Sequence, residues 1–261
     1  MKPILLLGAG RMGGALIAGW RRAQVFEPDQ LMIRDPKPGP EAVASGALID
    51  PDPAAMAKAQ TVMLLVKPQI WRDVAAEVAP RLAPDAVIVS IAAGVASADL
   101  AAAFGGRRIA RVMPTTAVAI GQGTASIFAS DAEARRRAHA LFGAVGAVVD
   151  LEDEDLMHAA TAISGSAPAY LYAFVEALEA AGVSLGLVPE AARNLARATV
   201  AGAAALMADS GADAADLRRQ VTSPGGTTEA ALKVLQGEDG LGPLLRAAAV
   251  AAEQRSRELG R

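Results

Sequence analysis

Two glycine-rich segments, each followed by apolar residues at helical spacing, are the parts of this chain best suited to chemistry. Residues 8–13 read GAGRMG, and residues 223–228 read SPGGTT before the pattern EAALKVL. The first N–H groups of a helix have no partner within that helix and carry a partial positive charge. Both segments therefore predict anion binding at a helix N-terminus, although the second could also be a turn that only starts a helix.

The first segment matches G-x-G-x-x-G in the context that gives this motif meaning. It follows the apolar run PILLL, which predicts a strand buried in a parallel sheet, and it precedes a helix predicted over residues 11–24. Gly8 would permit the tight turn, Gly10 would let a pyrophosphate approach the backbone, and Gly13 would let the helix pack on the strand. We interpret the segment as a dinucleotide-binding loop; an ordinary glycine turn is the alternative.

The end of the second predicted strand should contact the adenosine ribose of such a dinucleotide. Asp35 lies 22 residues after Gly13, close to where an acidic side chain binds the 2′-hydroxyl of NAD. Arg34 and Lys37 flank it, and either could pair with the 2′-phosphate of NADP. These residues leave the choice between NAD and NADP open, and all three could also be exposed loop charges.

The elements that must position these residues form two halves. In the first half, helices at 11–24, 69–82 and 131–142 alternate with apolar runs that predict strands at 30–35, 61–66, 85–94, 107–114, 123–130 and 146–151. This alternation predicts a Rossmann-like, doubly wound α/β domain over residues 1–151. Residues 152–261 show only helical patterns, so we expect an all-α second domain that buries part of its apolar surface against a second chain.

The composition of the chain excludes several kinds of binding partner and active site. The 261-residue chain has a net charge of −3, which favours neither nucleic acid nor an anionic membrane as a partner. It has no cysteine, which excludes disulfides, cysteine zinc sites and cysteine nucleophiles, and no metal site is predicted. Residues 156–175 lack Asp, Glu, Lys and Arg but are interrupted by polar residues and proline, so we do not interpret them as a membrane span. With no signal-peptide pattern, we expect a soluble cytoplasmic protein.

Several segments, in order along nearly the whole chain, resemble the pyrroline-5-carboxylate reductase family. The opening GAGRMGGALIAG has the family's G-x-G-x-M-G form. Val66–Pro68 and Val89–Val95 are similar to its cofactor-side loops. Ile163–Leu178 resembles its V-S-G-S-x-P-A-Y helix, and Ser223–Thr228 matches its most distinctive segment. Together these five segments are far more specific than any one of them.

The resemblance implies a Rossmann domain followed by a helical domain that forms a homodimer, or a larger homo-oligomer built from dimers. It implies hydride transfer from NADPH or NADH to the C=N carbon of 1-pyrroline-5-carboxylate, a small-molecule substrate, giving proline. With the glycine motif, it predicts cofactor contacts at Gly8, Ala9, Gly10, Arg11, Met12, Gly13, Arg34, Asp35, Val66, Lys67, Pro68, Ala92, Ala93 and Gly94. It predicts substrate contacts at Ser223, Gly225, Gly226, Thr227 and Thr228.

The second glycine-rich segment fits this role physically. Two glycines give a backbone that a ligand can approach closely, and the two threonines stand at or near the N-cap of the predicted helix, where free N–H groups suit a carboxylate. The resemblance implies that the hydroxyl of Thr228 hydrogen-bonds the ring nitrogen, which makes Thr228 the predicted catalytic residue. The alternative is a threonine N-cap with no ligand. Neither His139 nor His158 lies in a motif; we expect a surface position for His139 and a satisfied hydrogen bond for His158.

The chain departs from the family pattern at four positions. Thr115 and Ala117 replace an Asn and a Pro in a segment that lines the nicotinamide end in the family. Asp52 stands where the family often has an Asn near the ribose; together with Asp35 this anion favours NADH, whereas Arg34 favours NADPH. Arg219 replaces an Asp before the SPGGTT segment. The alternatives are a reductase of a related cyclic imino acid, a β-hydroxyacid dehydrogenase relative and a dinucleotide-sensing protein.

Overall fold

The computed structural model describes residues 1–259, which divide into two compact units. The first unit contains Met1–Gly165 and residues 252–259, and the second contains Ser166–Ala251. The predicted domain boundary at residue 151 lies 14 residues before the end of this first segment at Gly165. Residues 156–165 belong to the first unit because they pack against its sixth and seventh strands.

The first unit is built on one eight-stranded sheet. Its strands are β1 Ile4–Leu7, β2 Leu31–Arg34, β3 Leu48–Ile49, β4 Thr61–Leu64, β5 Val87–Ser90, β6 Ile109–Pro114, β7 Gly123–Phe128 and β8 Gly146–Asp150. They pair in the order β3-β2-β1-β4-β5-β6-β7-β8. Strands β1 to β6 are parallel, β7 runs antiparallel to β6, and β8 is parallel to β7. The predicted doubly wound α/β fold is thus confirmed.

Helices cover the sheet and form the second unit. In the first unit they are α1 Arg11–Arg22, α2 Pro40–Ala44, α3 Pro53–Met56, α4 Trp71–Val78, α5 Ser97–Ala103, α6 Ala132–Phe142 and α7 Leu156–Ala160. The second unit has α8 Ala167–Ser184, α9 Pro189–Ser210, α10 Ala214–Gln220 and α11 Thr227–Leu235, and α12 Leu241–Leu259 begins in it. Short 3₁₀ turns lie at Pro28–Gln30, Ala79–Arg81 and Thr116–Ile120, and a π-helical turn lies at Thr161–Gly165.

Strand β1 shows why its sequence is continuously apolar. All four residues are buried, and successive side chains point to opposite faces of the sheet. Ile4 and Leu6 belong to a cluster with Ile17 of α1, whereas Leu5 and Leu7 belong to a cluster on the other face with residues of α4. A central strand covered on both faces has no position for a polar side chain.

Some elements were absent from the sequence prediction. It did not include β3, α2, α3, α5 or α12, and β3 is too short, at two residues, to produce a period-2 pattern. The helix predicted before residue 165 continues from α7 into the π-helical turn. Within that helical segment, the hydroxyls of Thr161 and Ser164 donate to the carbonyls of Met157 and Ala160.

The second unit exposes much apolar surface. Helices α8, α10 and α11 have no buried residue, and Tyr172 and Leu185 are 63% and 85% exposed. Helices α8 and α9 pack closely where Gly182 meets Ala192, since a Cβ at Gly182 would lie 3.0 Å from that of Ala192. No helix between residues 1 and 259 combines the length and hydropathy needed to cross a bilayer.

Candidate functional site

The carboxyl ends of β1, β2 and β4 border a cleft of about 940 Å³ in the first unit. β1 lies between β2 and β4, so the chain leaves β1 where the direction of winding reverses, the place where open α/β sheets bind ligands. The cleft is lined by Leu7, Gly8, Gly10, Arg34, Asp35, Pro36, Pro38, Ile49, Asp50, Leu65, Val66, Lys67, Ile70, Val74 and Glu77. The structure therefore brings together residues from three of the predicted cofactor segments.

The three glycines of the first motif occupy three different environments. Gly8 has φ +99°, and a Cβ there would lie 3.1 Å from Val66 Cγ1. A Cβ on Gly13 would lie 2.8 Å from the Gly8 carbonyl oxygen, whereas one on Gly10 would meet no protein atom within 4 Å. Gly10 is also the N-cap of α1 and makes no side-chain cap. The backbone is thus open at Gly10, and these residues fit a dinucleotide whose pyrophosphate lies against the start of α1.

The carboxylate of Asp35 accepts two backbone hydrogen bonds that the sequence did not predict. One carboxylate oxygen accepts a hydrogen bond from the Ala9 amide at 2.5 Å, and the other accepts from the Lys37 amide at 2.7 Å. The side chain therefore ties the end of β2 to the glycine loop after β1. Its predicted contact with the ribose remains a prediction.

Arg34, at the end of β2, is held by two carboxylates. Its Nη1 lies 3.0 Å from Asp50 Oδ1, and its Nη2 pairs with Glu77. Asp50 follows β3, and Glu77 lies near the end of α4. Motif analysis missed both acids because they come from elements distant in sequence.

The apolar wall of the cleft was also missed. The stripe predicted on the helix at 69–82 begins with Ile70 and Val74, which line the cleft, and continues with Val78 and Leu82, which are buried in the core. Only Val74 and Val78 lie within α4; Ile70 is its N-cap, and Leu82 follows the 3₁₀ turn at Ala79–Arg81. The helix is therefore shorter than the predicted range of 69–82.

The loops after β4 and β5 differ in their relation to the cleft. Val66 and the exposed Lys67 line it. Pro68 lines a smaller neighbouring cavity of about 210 Å³, and Ala92, Ala93 and Gly94 form a turn after β5 outside the cleft lining. In that turn the Ala92 amide donates to Ser90 Oγ at 3.2 Å.

The departure at Thr115 has a clear structural consequence. Its side chain is buried, and its hydroxyl accepts from the Thr124 amide at 3.0 Å, which ties the end of β6 to β7. Asp52, another departure in this unit, caps α3 by accepting from the Ala55 amide at 2.7 Å. Asp52 lies outside the lining of the cleft, so its predicted repulsion of a 2′-phosphate has no support there.

A partly buried ion pair joins β6 to the segment before α7. Arg111 of β6 is 5% exposed, and its Nη1 lies 2.8 Å from Glu154 Oε1. Glu154 also accepts from the amide and hydroxyl of Ser97 at 2.6 Å each. Burial acts to raise the pKa of Glu154, but the hydrogen bonds from Ser97 and Arg111 outweigh it and hold that pKa below its ordinary value.

Both histidines have polar partners, but His158 lies in α7 of the first unit and not in the helical second domain where the sequence placed it. His139, on the exposed face of α6, has Nε2 2.8 Å from Asp150 Oδ2. His158 Nδ1 lies 2.9 Å from Ser256 Oγ. Burial, followed by the positive charges of Arg257 and Arg111, lowers the pKa of His158, which favours a neutral ring.

The second glycine-rich segment forms the start of α11 in the second unit. The N-cap is Gly226, so Thr227 and Thr228 are the first two helical residues and neither caps the helix. In residues 1–259, the amides of Thr227, Thr228 and Glu229 have no acceptor, and the two threonine hydroxyls have no partner. The Glu229 carboxylate accepts from the Gly225 amide at 3.0 Å, which holds the turn against the helix.

Thr228 is half-buried, whereas Thr227 is exposed. The start of α11 therefore offers three backbone donors and two hydroxyls to a small anion. Arg219, the departure before this segment, lies in α10 and pairs with Asp216 of the same helix.

Comparison with known families matches both parts of the chain. A family model described as pyrroline-5-carboxylate reductase dimerisation matches residues 154–259. A second, described as NADP oxidoreductase coenzyme F420-dependent, matches residues 3–94.

Whole-chain relatives agree with these matches. The pyrroline-5-carboxylate reductase of Pseudomonas aeruginosa is 40% identical, with 98% of this chain and 96% of that protein covered. The enzyme of Pisum sativum is 35% identical, covering 97% of this chain and 94% of that protein. Among solved structures, the Coxiella burnetii pyrroline-5-carboxylate reductase has a TM-score of 0.90 at 31% identity, covering 100% and 99% of the two chains. The NADP-bound Plasmodium falciparum pyrroline carboxylate reductase has a TM-score of 0.86 at 26% identity, covering 99% and 98%.

Proposed function

Because this chain belongs to the pyrroline-5-carboxylate reductase family, we propose that the start of α11 binds the substrate and the glycine loop after β1 holds the cofactor pyrophosphate. The chain is an NAD(P)H-dependent oxidoreductase, and its reaction is reduction of pyrroline-5-carboxylate to proline. NAD(P)H supplies the hydride, which adds to the C=N carbon while the protonated ring nitrogen becomes the amine of proline.

The observation that carries the substrate proposal is the set of unpartnered donors at the start of α11. A threonine N-cap would have explained residues 227 and 228 without a ligand, but Gly226 is the N-cap. Three amides directed along a helix axis suit the carboxylate of a cyclic imino acid. The Thr228 hydroxyl can then hydrogen-bond the ring nitrogen, fixing the orientation of the imine.

The cofactor proposal rests on the open backbone at Gly10 and on the lining of the cleft. Gly8, Ala9, Gly10, Arg11, Met12 and Gly13 provide the turn and the helix start. Arg34 and Asp35 line the cleft at the end of β2, where the ribose is proposed to lie. Val66, Lys67 and Pro68 follow β4, and Ala92, Ala93 and Gly94 follow β5. Lys67 is placed to contact the dinucleotide from the β4 side. The turn at 92–94 is proposed to contact the nicotinamide half.

The homo-oligomer follows from the dimerisation family match over residues 154–259. We infer a homodimer as its smallest unit, because α8, α9 and α11 expose large apolar side chains, among them Tyr172, Leu206 and Val234. A second copy of the same helices would cover that surface.

One experiment tests the reaction and the role of Thr228 together. Purified protein is supplied with pyrroline-5-carboxylate and NADH or NADPH, and cofactor absorbance is followed for wild type, Thr228→Ala, Thr228→Ser and Thr227→Ala. We expect turnover by wild type. Loss of a hydrogen bond to a charged group costs about 1.5–3 kcal/mol, so Thr228→Ala should lower kcat/KM roughly 10- to 100-fold.

The serine variant keeps the hydroxyl and should retain most of the activity. Cofactor affinity should be unchanged in every variant. No turnover by folded wild-type protein with either cofactor would overturn the assigned reaction. An unchanged rate in Thr228→Ala would overturn only the role of its hydroxyl.

A further inference from the structure

We propose that Asp50 and Glu77 make the enzyme prefer NADH to NADPH, because their ion pairs with Arg34 keep this arginine from binding the 2′-phosphate of NADPH. The inference rests on the proposed cofactor site. It assigns a specificity-determining role to two acids outside every motif of the chain.

The geometry of Arg34 is the first argument. Its side chain is 30% exposed and lines the cleft at the end of β2, where the adenosine ribose of a dinucleotide lies in this fold. An arginine binds a phosphate with two parallel N–H···O hydrogen bonds from its fork. Here Nη1 is paired with Asp50 Oδ1 at 3.0 Å and Nη2 is paired with Glu77. A 2′-phosphate would have to displace these carboxylates, whereas the 2′-hydroxyl of NADH requires no arginine.

The surrounding charges reinforce this arrangement. Asp35 places a third carboxylate at the end of β2, held by the amides of Ala9 and Lys37. Of the basic residues nearby, Arg81 lies 3.4 Å from Glu77, and the exposed Lys37 is outside the cleft lining. Lys67 lines the cleft but follows β4, on the other side of β1 from Arg34. A phosphate dianion at the ribose would therefore meet three carboxylates and one arginine already paired with two of them.

The two acids are suited to mutagenesis because neither contributes to the core. The side chains of Asp50 and Glu77 are 77% and 44% exposed. Asp50 has φ +52°, a conformation that asparagine also tolerates, so Asp50→Asn removes charge without backbone strain. Glu77→Gln preserves shape. Asp29→Asn is the matched control, since Asp29 is exposed and lies before β2, at the opposite end of that strand.

The experiment measures Kd for NADH and NADPH by isothermal titration calorimetry, and kcat/KM with each cofactor. We expect wild type to bind NADH at least about tenfold more tightly than NADPH, a difference of about 1.4 kcal/mol. Asp50→Asn with Glu77→Gln should shift the ratio toward NADPH by roughly tenfold, because two carboxylates no longer repel the phosphate or occupy Arg34. Asp29→Asn should leave the ratio at the wild-type value.

A third substitution tests whether the expected gain in NADPH affinity depends on Arg34. Adding Arg34→Gln to the double variant should abolish the gained NADPH affinity while NADH affinity changes little. Equal binding of the two cofactors by wild type, or preference for NADPH, would overturn the inference and leave the reaction intact. An unchanged ratio in the double variant would also overturn it. Failure of both cofactors to bind would instead contradict the proposed cofactor site.

Discussion

Gly10→Ala should separate cofactor binding from folding. A Cβ at Gly10 meets no protein atom within 4 Å, so the folded chain can accept the methyl group without moving. Gly10 has φ −66° and ψ −153°, which is extended backbone open to alanine. The same methyl group would project from the start of α1, where the pyrophosphate is proposed to approach the backbone.

The substitution should affect stability little and cofactor affinity strongly. Alanine restricts the unfolded chain, which stabilises by about 0.4–1 kcal/mol, and is a poorer N-cap than glycine, so the free energy of unfolding should change by less than about 1 kcal/mol. The phosphate should lose one or more charge-assisted hydrogen bonds worth about 1.5–3 kcal/mol each. Cofactor Kd should therefore rise roughly 10- to 100-fold.

The assay combines cofactor titration with urea unfolding, and two neighbouring glycines supply controls. Gly14→Ala, whose Cβ would lie 3.8 Å from that of Glu41, should keep wild-type affinity. Gly13→Ala should lose both stability and affinity, because its Cβ would lie 2.8 Å from the Gly8 carbonyl oxygen. Wild-type affinity in Gly10→Ala would refute the proposed approach of the pyrophosphate to this backbone.

Two further predictions concern stability and assembly. Because the folded-state pKa of Glu154 is depressed, its stabilisation is fully present above the unfolded pKa and is lost as pH falls through the folded pKa. Glu154→Gln should lower the free energy of unfolding by about 2 kcal/mol at pH 7, because it leaves the Arg111 charge without its partner. It should also reduce the loss of stability between pH 7 and pH 4, and urea unfolding at these two pH values measures both effects. A loss of stability on acidification as large as in wild type would contradict the role of Glu154. Multi-angle light scattering should give a mass of at least two chains, and a monodisperse monomer would exclude the dimer inferred from the exposed helices.

Much of the first unit could be predicted because its signals are local. Continuous apolar runs predict strands buried on both faces, and a glycine motif between a strand and a helix predicts a turn open to phosphate. Each of these signals lies within about ten neighbouring residues. The seven predicted strands are all present, with ends shifted by at most four residues. The eighth strand, β3, has only two residues and could not produce such a signal.

The candidate substrate segment was predictable in position but not in detail. Glycines before threonines and a helical pattern indicate a helix start, yet either residue 226 or a threonine could serve as the N-cap. Backbone geometry assigns the cap to Gly226. That assignment leaves the hydroxyls of Thr227 and Thr228 free for another partner.

The sequence by itself determined the alternation of strands and helices, the glycine turn at Gly8 and the family to which the chain belongs. Only the tertiary structure decided how charges at the end of β2 are paired. Arg34 meets acids 16 and 43 residues away, and Asp35 binds an amide 26 residues away. Ala9 and Asp50 follow β1 and β3, whose carboxyl ends lie on either side of that of β2, whereas Glu77 comes from α4. No spacing rule along the chain encodes that meeting, since it depends on the order in which the strands pair.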